Sequence, residues 1–597
     1  MYKTFTRFIL VFFLALGMSS PHTLYAQGGK TVTGTVTDPG GMPLPGVTVQ
    51  EKGTTNGVAT DFDGNFSIDV ASNDAVLVFS YVGMTSVEQT VGSQNAFTIT
   101  MESNEESLDE VVLIGYGSQE RKAVSTAVSK VETEDFNQGQ VSSPVELIQG
   151  KVAGLQITRA GGNNPNGGTA IQLRGVTSIT GSTSPLIVID GIPGGNLDLL
   201  QQNDIESFDV LKDGAAAAIY GTRGTNGVIL ITTKKGKKGK STFNYSSFVS
   251  RDYVNRKPDF LSAEQFRAAI ADGIIGENND LGASTDIFDA LVNESNLTQY
   301  HNFVASGGNE TSNYRASLYY KDSEGIALEN SREQFGIRAS FNQTGLDDKL
   351  TFSSSAVVNI NDANLLGGGQ FGIVTDWNPT APIFAPFNTS EEGVLYNEGR
   401  YGYYQPENGY NPFSEYANRF NQRKQLTFSG DAKLSYEITK GLIASVFGSY
   451  QRNSWDDRYY RSTQDYQQYN SGSPYFGTGY AYKGSHLDFT QTVEPTITYS
   501  TEIAEHSFEL LGGYSYQYSA TENYSMDNSG FTTDGFEDWN FGAGNAITDT
   551  DLPRPNLSSF KEDNTLIAYF SRLSYNYLDR YFLQASVRHE GSSRFGA

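Results

Sequence analysis

The segment that decides the fold reads Asn313-Tyr-Arg-Ala-Ser-Leu-Tyr-Tyr-Lys321. Because successive side chains of a β-strand point to opposite faces, it predicts a strand with two unlike faces. One face carries apolar and aromatic side chains: Tyr314, Ala316, Leu318 and Tyr320. The other face carries polar side chains: Asn313, Arg315, Ser317 and Lys321. We expect the polar face to be wet. The apolar face covers either a protein core or lipid, and tyrosines at both of its ends favour lipid.

The same alternation runs through residues 239–597 and recurs in 335–342 and 581–588. Tight turns and long polar stretches separate the strands: turns at 439–441 and 578–580, and stretches at 361–423, 453–484 and 520–564. Short turns on one side and long loops on the other are typical of an antiparallel transmembrane β-barrel. We expect about eleven strands, whereas plugged barrels have about 22, so the sequence predicts part of a barrel.

The N-terminus predicts an exported protein. Lys3 and Arg7 precede an apolar run over 8–18, and Leu24-Tyr-Ala26 follows it. This order is typical of a secretory signal peptide over 1–26, cleaved after Ala26. As a membrane anchor the run is too short, because a spanning helix needs about 20 apolar residues.

Residues 27–101 predict a small β-sandwich, since short strand-like segments alternate there with Gly, Asn and Asp turns. Within it, Asp61-Phe-Asp-Gly-Asn65 superficially resembles the start of a calcium loop. The remaining oxygen ligands of such a loop are missing, so we expect a hairpin turn.

An acidic linker and a mixed unit follow. Residues 102–117 predict a linker that ends in a short β-prone segment, and taken alone this segment favours a buried structural strand over a binding segment. Residues 118–238 predict a compact α+β unit. Its expected elements are short helices at 144–150 and 213–219 and buried strands at 185–190 and 227–233.

Composition excludes several classes of function. The absence of cysteine excludes disulfides, thiolate metal sites and cysteine nucleophiles. A net charge of −25 argues against nucleic-acid binding, which needs a basic surface. No zinc-protease, nucleophile-elbow or phosphate-loop motif accompanies the five histidines. We therefore expect no catalysis, no metal and no cofactor.

Several strings resemble one family. Leu108-Asp-Glu-Val-Val112 and Gly115-Tyr-Gly117 are similar to the TonB box and the residues that follow it in SusC/RagA-type TonB-dependent outer-membrane transporters. The strings 174–176, 185–193, 204–221 and 223–234 resemble the plug domain of that family, and 586–596 resembles a mid-barrel motif. Residues 27–101 resemble its carboxypeptidase-regulatory-like extension.

The resemblance implies site residues. The TonB-interacting residues would be Leu108, Asp109, Glu110, Val111, Val112, Leu113 and Ile114. The plug signature would comprise Arg174, Gly175, Asp190, Gly191, Asp213, Tyr220, Gly221, Arg223 and Gly224. Tyr401, Tyr403 and Tyr404 are candidates for contact with substrate or lid, although loop packing is the favoured explanation for them.

The resemblance also implies a function. It would be TonB-dependent import of glycans or oligopeptides across the outer membrane of a Gram-negative bacterium, with a SusD-like lipoprotein as lid. TonB would pair with the segment before the plug and pull on it. The alternative is a passive porin or surface adhesin built on a plugged barrel.

Overall fold

A computed structural model describes residues 30–101, 111–120, 128–212, 218–384, 403–404, 411–465 and 478–594, without positions 53, 55, 71, 82–83, 85, 115–116, 160, 162, 177, 180 and 552–553. The expected signal peptide, 1–26, and the first TonB-box residues, Leu108, Asp109 and Glu110, lie outside this range. The chain divides into two compact units, Met1–Glu110 and Val111–Ala597.

The first unit is a sandwich of two sheets. Its strands are β1 (Lys30–Thr37), β2 (Thr48–Glu51), β3 (Gly57–Ala59), β4 (Asn65–Val70), β5 (Val76–Ser80), β6 (Val87–Thr90) and β7 (Ala96–Thr100). The sheet orders are β4-β1-β7 and β3-β2-β5-β6. Alternate residues point inward, and the rings of Phe66 and Phe79 meet edge to face at 5.3 Å between the sheets.

The turn at 61–65 is tight, but it does not form a hairpin. Asp61 accepts backbone N–H bonds from Asp63 and Asn65, and Gly64 has a φ of +74°. The turn joins β3 of one sheet to β4 of the other. The hairpin prediction was wrong because Phe66 must face the opposite sheet to reach Phe79.

The second unit begins with an isolated hairpin. Strand β8 (Val111–Ile114) pairs antiparallel with β9 (Gly117–Glu120), and Ile114 lies opposite Gly117.

The mixed unit, residues 128–233, has seven strands. They are β10 (Val128–Glu132), β11 (Leu155–Arg159), β12 (Thr169–Leu173), β13 (Leu186–Ile189), β14 (Ile192–Pro193), β15 (Ile205–Leu211) and β16 (Val228–Thr233). The main sheet has the order β10-β15-β16-β13-β14 and is buried on both faces. Strands β13 and β16 pair in parallel, which explains their unbroken apolar runs.

Among the described residues of the mixed unit, the helices are short 3₁₀ segments, and the last of them is kinked at Gly221. They span Thr133–Asp135, Pro144–Ile148, Leu197–Leu199, Gln202–Asp204 and Ala218–Gly224. The expected helix at 144–150 is therefore a shorter 3₁₀ turn. Of the helix expected at 213–219, Asp213 and the four residues after it lie outside the described residues.

The long sheet contains eleven antiparallel strands in chain order. They are β17 (Gly239–Ser250), β18 (Thr298–Gly308), β19 (Ser312–Glu324), β20 (Ser331–Gly345), β21 (Leu350–Asn364), β22 (Arg419–Thr439), β23 (Leu442–Arg461), β24 (Gly479–Ile503), β25 (His506–Phe531), β26 (Leu557–Tyr577) and β27 (Tyr581–Ser592). The expected strand number and antiparallel order are confirmed.

Connections at one end of the long sheet are two to four residues long, as at 440–441 and 578–580. At the other end they are longer, but shorter than expected: two of the polar stretches shrink to 462–478 and 532–556. The residues on either side of these connections were predicted to be loop, and that prediction was wrong. Polar residues there extend the β-strands, because the hydrogen bonds between strands are made by the backbone alone.

In the described parts of the longer connections lie three short α-helices: α1 (Ala263–Ala271), α2 (Ile287–Leu291) and α3 (Pro412–Asn418). Helix α1 starts with a capping box, in which Ser262 and Gln265 each accept the other's backbone N–H. In the described part of the chain, no helix is long and apolar enough to cross a membrane.

Candidate functional site

The inner face of the long sheet, which carries Arg315, contacts the mixed unit. Arg315 lies 2.7 Å from Asp204, and the hydroxyl of Ser317 donates to the same carboxylate at 3.1 Å. The side chains of Arg315 and Asp204 are only 7% and 2% exposed. The prediction that this face is wet was wrong here, because the mixed unit covers it and supplies the opposite charge.

A second arginine joins Asp204 to Asp190. The Arg338 guanidinium is 3.6 Å from Asp190 and 3.9 Å from Asp204, and it donates to the carbonyl of Leu199 at 3.1 Å. Asp190 has a φ of +49°, and Gly191 beside it has a φ of +90°. Asp190 is fixed because the backbone N–H and hydroxyl of Thr233 both donate to it, at 2.9 and 2.7 Å.

A third arginine, Arg332, lies 3.0 Å from Asp198. We call these three arginines and three aspartates the ion-pair anchor: Arg315, Arg332, Arg338, Asp190, Asp198 and Asp204. Burial, reinforced by Arg315, lowers the pKa of the neighbouring Lys234. Removing one partner of such a buried pair typically costs about 3–5 kcal/mol, because the other charge is left uncompensated.

The mixed unit also contacts β25 and β27. Gly221 has a φ of +68°, and a Cβ at this position would overlap the carboxylate of Glu590. That carboxylate accepts the backbone N–H of Thr222 at 3.1 Å and the Arg588 Nε–H at 2.6 Å. Glycine at 221 thus lets the chain approach the sheet closely.

The other plug-signature residues are spread over the mixed unit. Tyr220 is buried beside Leu230, and Arg223 contacts Gln517 on β25. Gly224 ends the 3₁₀ turn. Arg174 has a φ of +63°, its backbone N–H donates to the Gly154 carbonyl at 2.6 Å, and Gly175 is exposed. Of these residues, Tyr220 lines one cavity together with Asp190 and Gly191.

The candidate tyrosines lie in a long connection. The ring of Tyr404 meets Trp377 edge to face at 5.3 Å, and Tyr403 contacts Phe384 at the same distance. Tyr401 lies outside the described residues. The geometry of Tyr404, whose backbone N–H donates to the Ile383 carbonyl at 3.0 Å, is that of loop packing.

Sequence reasoning missed Arg332, Asp198, Gln517 and the pairing roles of Arg315 and Arg338. The sequence did contain a sign of these pairing roles, because Arg315 and Arg338 occupy the polar positions of their strands. Their partners lie more than a hundred residues away along the chain. Across the described residues, no group of three or more acidic or histidine side chains could hold a metal ion.

The sequence matches two domain families. Residues 32–113 match the CarboxypepD_reg-like domain, and residues 120–228 match the TonB-dependent Receptor Plug Domain. TonB-dependent receptor P3 of Formosa agariphila is 31% identical over 581 residues, covering 95% of this chain and 55% of the relative. TonB-dependent receptor SusC of Bacteroides thetaiotaomicron is 30% identical over 601 residues, covering 95% and 56%.

Solved structures show the same fold. The RagAB peptide importer in its open-open state aligns with a TM-score of 0.62 and 23% identity, over 82% of this chain and 57% of that one. The plug match, the long sheet and the relatives together make this chain a homologue of TonB-dependent receptors. Within that class, its homologues include the SusC type. It spans a little over half the length of the curated relatives it matches.

Proposed function

We propose that this chain serves active, TonB-dependent import of glycans or oligopeptides across the outer membrane. The observation that carries the proposal is the mixed unit held by buried ion pairs against the inner face of a sheet whose outer face is apolar. A pore that is blocked in this way needs work to open. A relative of this chain is a TonB-dependent receptor, and a solved structure with the same fold is a peptide importer.

Aromatic rings on the outer face support a membrane location. Toward the long connections, Phe428, Tyr450, Phe489 and Tyr518 form a row, with neighbouring centroids 5.9–6.4 Å apart. Toward the short turns, Phe508 packs on Tyr575 at 4.9 Å. From Phe508 to Tyr518, β25 covers ~33 Å along the strand. At the usual tilt this is ~25 Å of membrane thickness, as expected for an apolar band.

The hairpin before the mixed unit is the proposed attachment point for TonB. Strand β8 contains the last four residues of the expected TonB box, Val111 to Ile114, and pairs with β9 through one edge. A strand of TonB would add to the other edge through backbone hydrogen bonds. Leu108, Asp109 and Glu110 would extend that contact.

A cavity of about 820 Å³ at the long-connection end of the mixed unit is the proposed cargo site. Its lining combines charges of both signs, as in Glu146 and Arg159, with the ring pair Phe288 and Phe371. Such a mixture suits a polar chain that carries apolar groups. A SusD-like lipoprotein would close over it, by analogy with the two-component RagAB peptide importer.

Deleting residues 108–114 from the full-length receptor separates active import from a passive pore or adhesin. We expect uptake of labelled oligopeptides or oligosaccharides to fall to the level of a receptor-free strain, with unchanged receptor abundance. Deleting the seven residues 87–93 of the sandwich is a length-matched control. Unchanged uptake after the first deletion would favour the passive pore.

The two cargo classes are distinguished in the same cells. Uptake of a peptide mixture and of an oligosaccharide mixture is compared, each with unlabelled competitor of both kinds. Cargo of one class should compete only with itself.

A further inference from the structure

A second cavity, of about 360 Å³, separates the mixed unit from strands β20–β24 near the short-turn end. The mixed unit contributes Asp190, which is also an anchor residue, and Thr233. The segment after it contributes Lys235, and the long sheet contributes Ser355, Lys433 and Ser445. We call this cavity the seam. At about 30 Å³ per water molecule it has room for about a dozen waters. A sugar chain or peptide would fit only if the two surfaces moved apart.

The seam differs from the ion-pair anchor on strands β19 and β20. At the Arg315–Asp204 pair of the anchor the surfaces touch, with 2.7 Å between the two side chains, and both charges are almost fully buried. Separating the surfaces there would leave these charges uncompensated. Separating them at the seam enlarges a space that polar groups already line.

The chemistry of the seam suits polar cargo. The sheet side offers short hydroxyl side chains: Ser340, Ser353, Ser355, Ser445 and Thr496. A hydroxyl can both donate and accept hydrogen bonds, so it can replace water around sugars or peptide groups. Lys433 and Glu494 add one charge of each sign.

We propose that the seam is where the mixed unit parts from the long sheet during import, and that polar cargo passes along it toward the short-turn end. The Arg315–Asp204 pair of the anchor, on the neighbouring strand β19, keeps the mixed unit attached beside the seam, and Asp190 lies at the border between the two regions. This inference rests on the function proposed above and adds the side on which the passage opens.

The sequence contains no cysteine. Single thiols can therefore be introduced into the full-length receptor, once any cysteine elsewhere in it has been replaced by serine. One variant, Ser445→Cys, places a thiol in the seam. A matched variant, Ser317→Cys, places one at the anchor, where the native hydroxyl is 3.1 Å from Asp204. The rate of labelling by a small charged methanethiosulfonate is measured in cells with cargo, with and without a protonophore.

We expect energised cells to label the thiol at 445 several-fold faster and the thiol at 317 at an unchanged rate. The adduct at 445 should also slow uptake. The proposal would be overturned if the labelling rate at 317 rose, either by itself or as much as the rate at 445, because the anchor would then open during import. Ser353→Cys replaces Ser445→Cys if that variant does not assemble.

The deletion of residues 108–114 distinguishes failure of the proposed function from failure of the seam proposal. If uptake survives that deletion, the proposed function fails, and the seam proposal fails with it. If uptake depends on 108–114 and neither seam thiol responds, only the seam proposal is wrong.

Discussion

The sandwich and the long sheet use the same alternation of side chains with opposite results. In β4 the apolar residues Phe66, Ile68 and Val70 are buried and the polar ones exposed. In β19 the apolar Leu318 is 42% exposed, whereas Arg315 and Ser317 are buried. Alternation of apolar and polar residues therefore predicts that a strand has two unlike faces. Which face is buried depends on the structural element that packs against it.

The largest effect should come from breaking a buried ion pair of the long sheet. We expect Arg315→Met to destabilise the receptor by about 3–5 kcal/mol, because Asp204 keeps its buried charge without its nearest partner. Urea unfolding of the full-length receptor in detergent measures this.

An exposed pair of the sandwich is the control for that change. Lys52 and Glu88 are 2.6 Å apart, but their side chains are 58% and 50% exposed. Lys52→Met should cost no more than about 1 kcal/mol, because solvent screens the pair. Equal effects of the two substitutions would contradict the contrast between the regions.

The sandwich should be most sensitive to loss of apolar volume. Leu77 is fully buried between its sheets. We expect Leu77→Ala to cost about 2–5 kcal/mol, through lost burial and the cavity left behind. Hydrogen exchange should show weaker protection in 30–101 with no change in the long sheet. Normal protection of β4 and β5 would argue against the two-sheet core.

A charge placed on the outer face of the long sheet tests contact with lipid. We expect Leu318→Arg to cost about 2–4 kcal/mol of folding into vesicles, and Tyr314→Arg, nearer the short turns, about 0–1 kcal/mol. Folding yield against urea concentration measures both. Equal tolerance of arginine at the two depths would mean that this face meets water.

The smallest effect should be a pH response outside the membrane band. Burial alone would raise the pKa of Asp286, but hydrogen bonds from Lys257 and from the backbone N–H of Asp289 outweigh it and lower the pKa. Because the pKa of Asp286 is lower in the folded state, its ionised carboxylate stabilises the connection above pH ~4, the ordinary pKa of an aspartate. This stabilisation is lost as the pH falls through the lowered pKa.

The ion pair between Asp286 and Lys257 is partly exposed, so solvent screening limits its contribution to stability to about 1 kcal/mol or less. Proteolysis of 251–297 at pH 3 and pH 6 should therefore differ slightly, and Asp286→Asn should abolish the difference. A pH difference that survives in Asp286→Asn would assign the response to another group.

Local pattern predicted much of this fold. The alternation around Leu318, the turns at 439–441 and 578–580 and the buried strands of the mixed unit all depend on neighbouring residues, which the sequence displays directly. The two-sheet membership of β3 and β4 was missed because it depends on contacts across the core.

The site was less accessible to sequence reasoning. Asp190 and Gly191 were singled out through resemblance, but Arg338, which pairs with Asp190, lies 148 positions further along the chain. Arg315 was predicted to face water because the sequence of one strand does not reveal which part of the protein packs against its polar face. For Leu108, Asp109 and Glu110 the TonB-interacting role remains a prediction.

Strands β24 and β25 are 25 and 26 residues long, far more than an apolar band of ~25 Å requires. About ten residues of β24 continue past Phe489, which adds ~25 Å of paired backbone above the lipid at the usual tilt. We therefore expect the connections 462–478 and 532–556 to be held at the tips of a stiff collar of paired strands. A bacteriophage or an antibody approaching the cell would meet these connections first, at a height that the paired strands set.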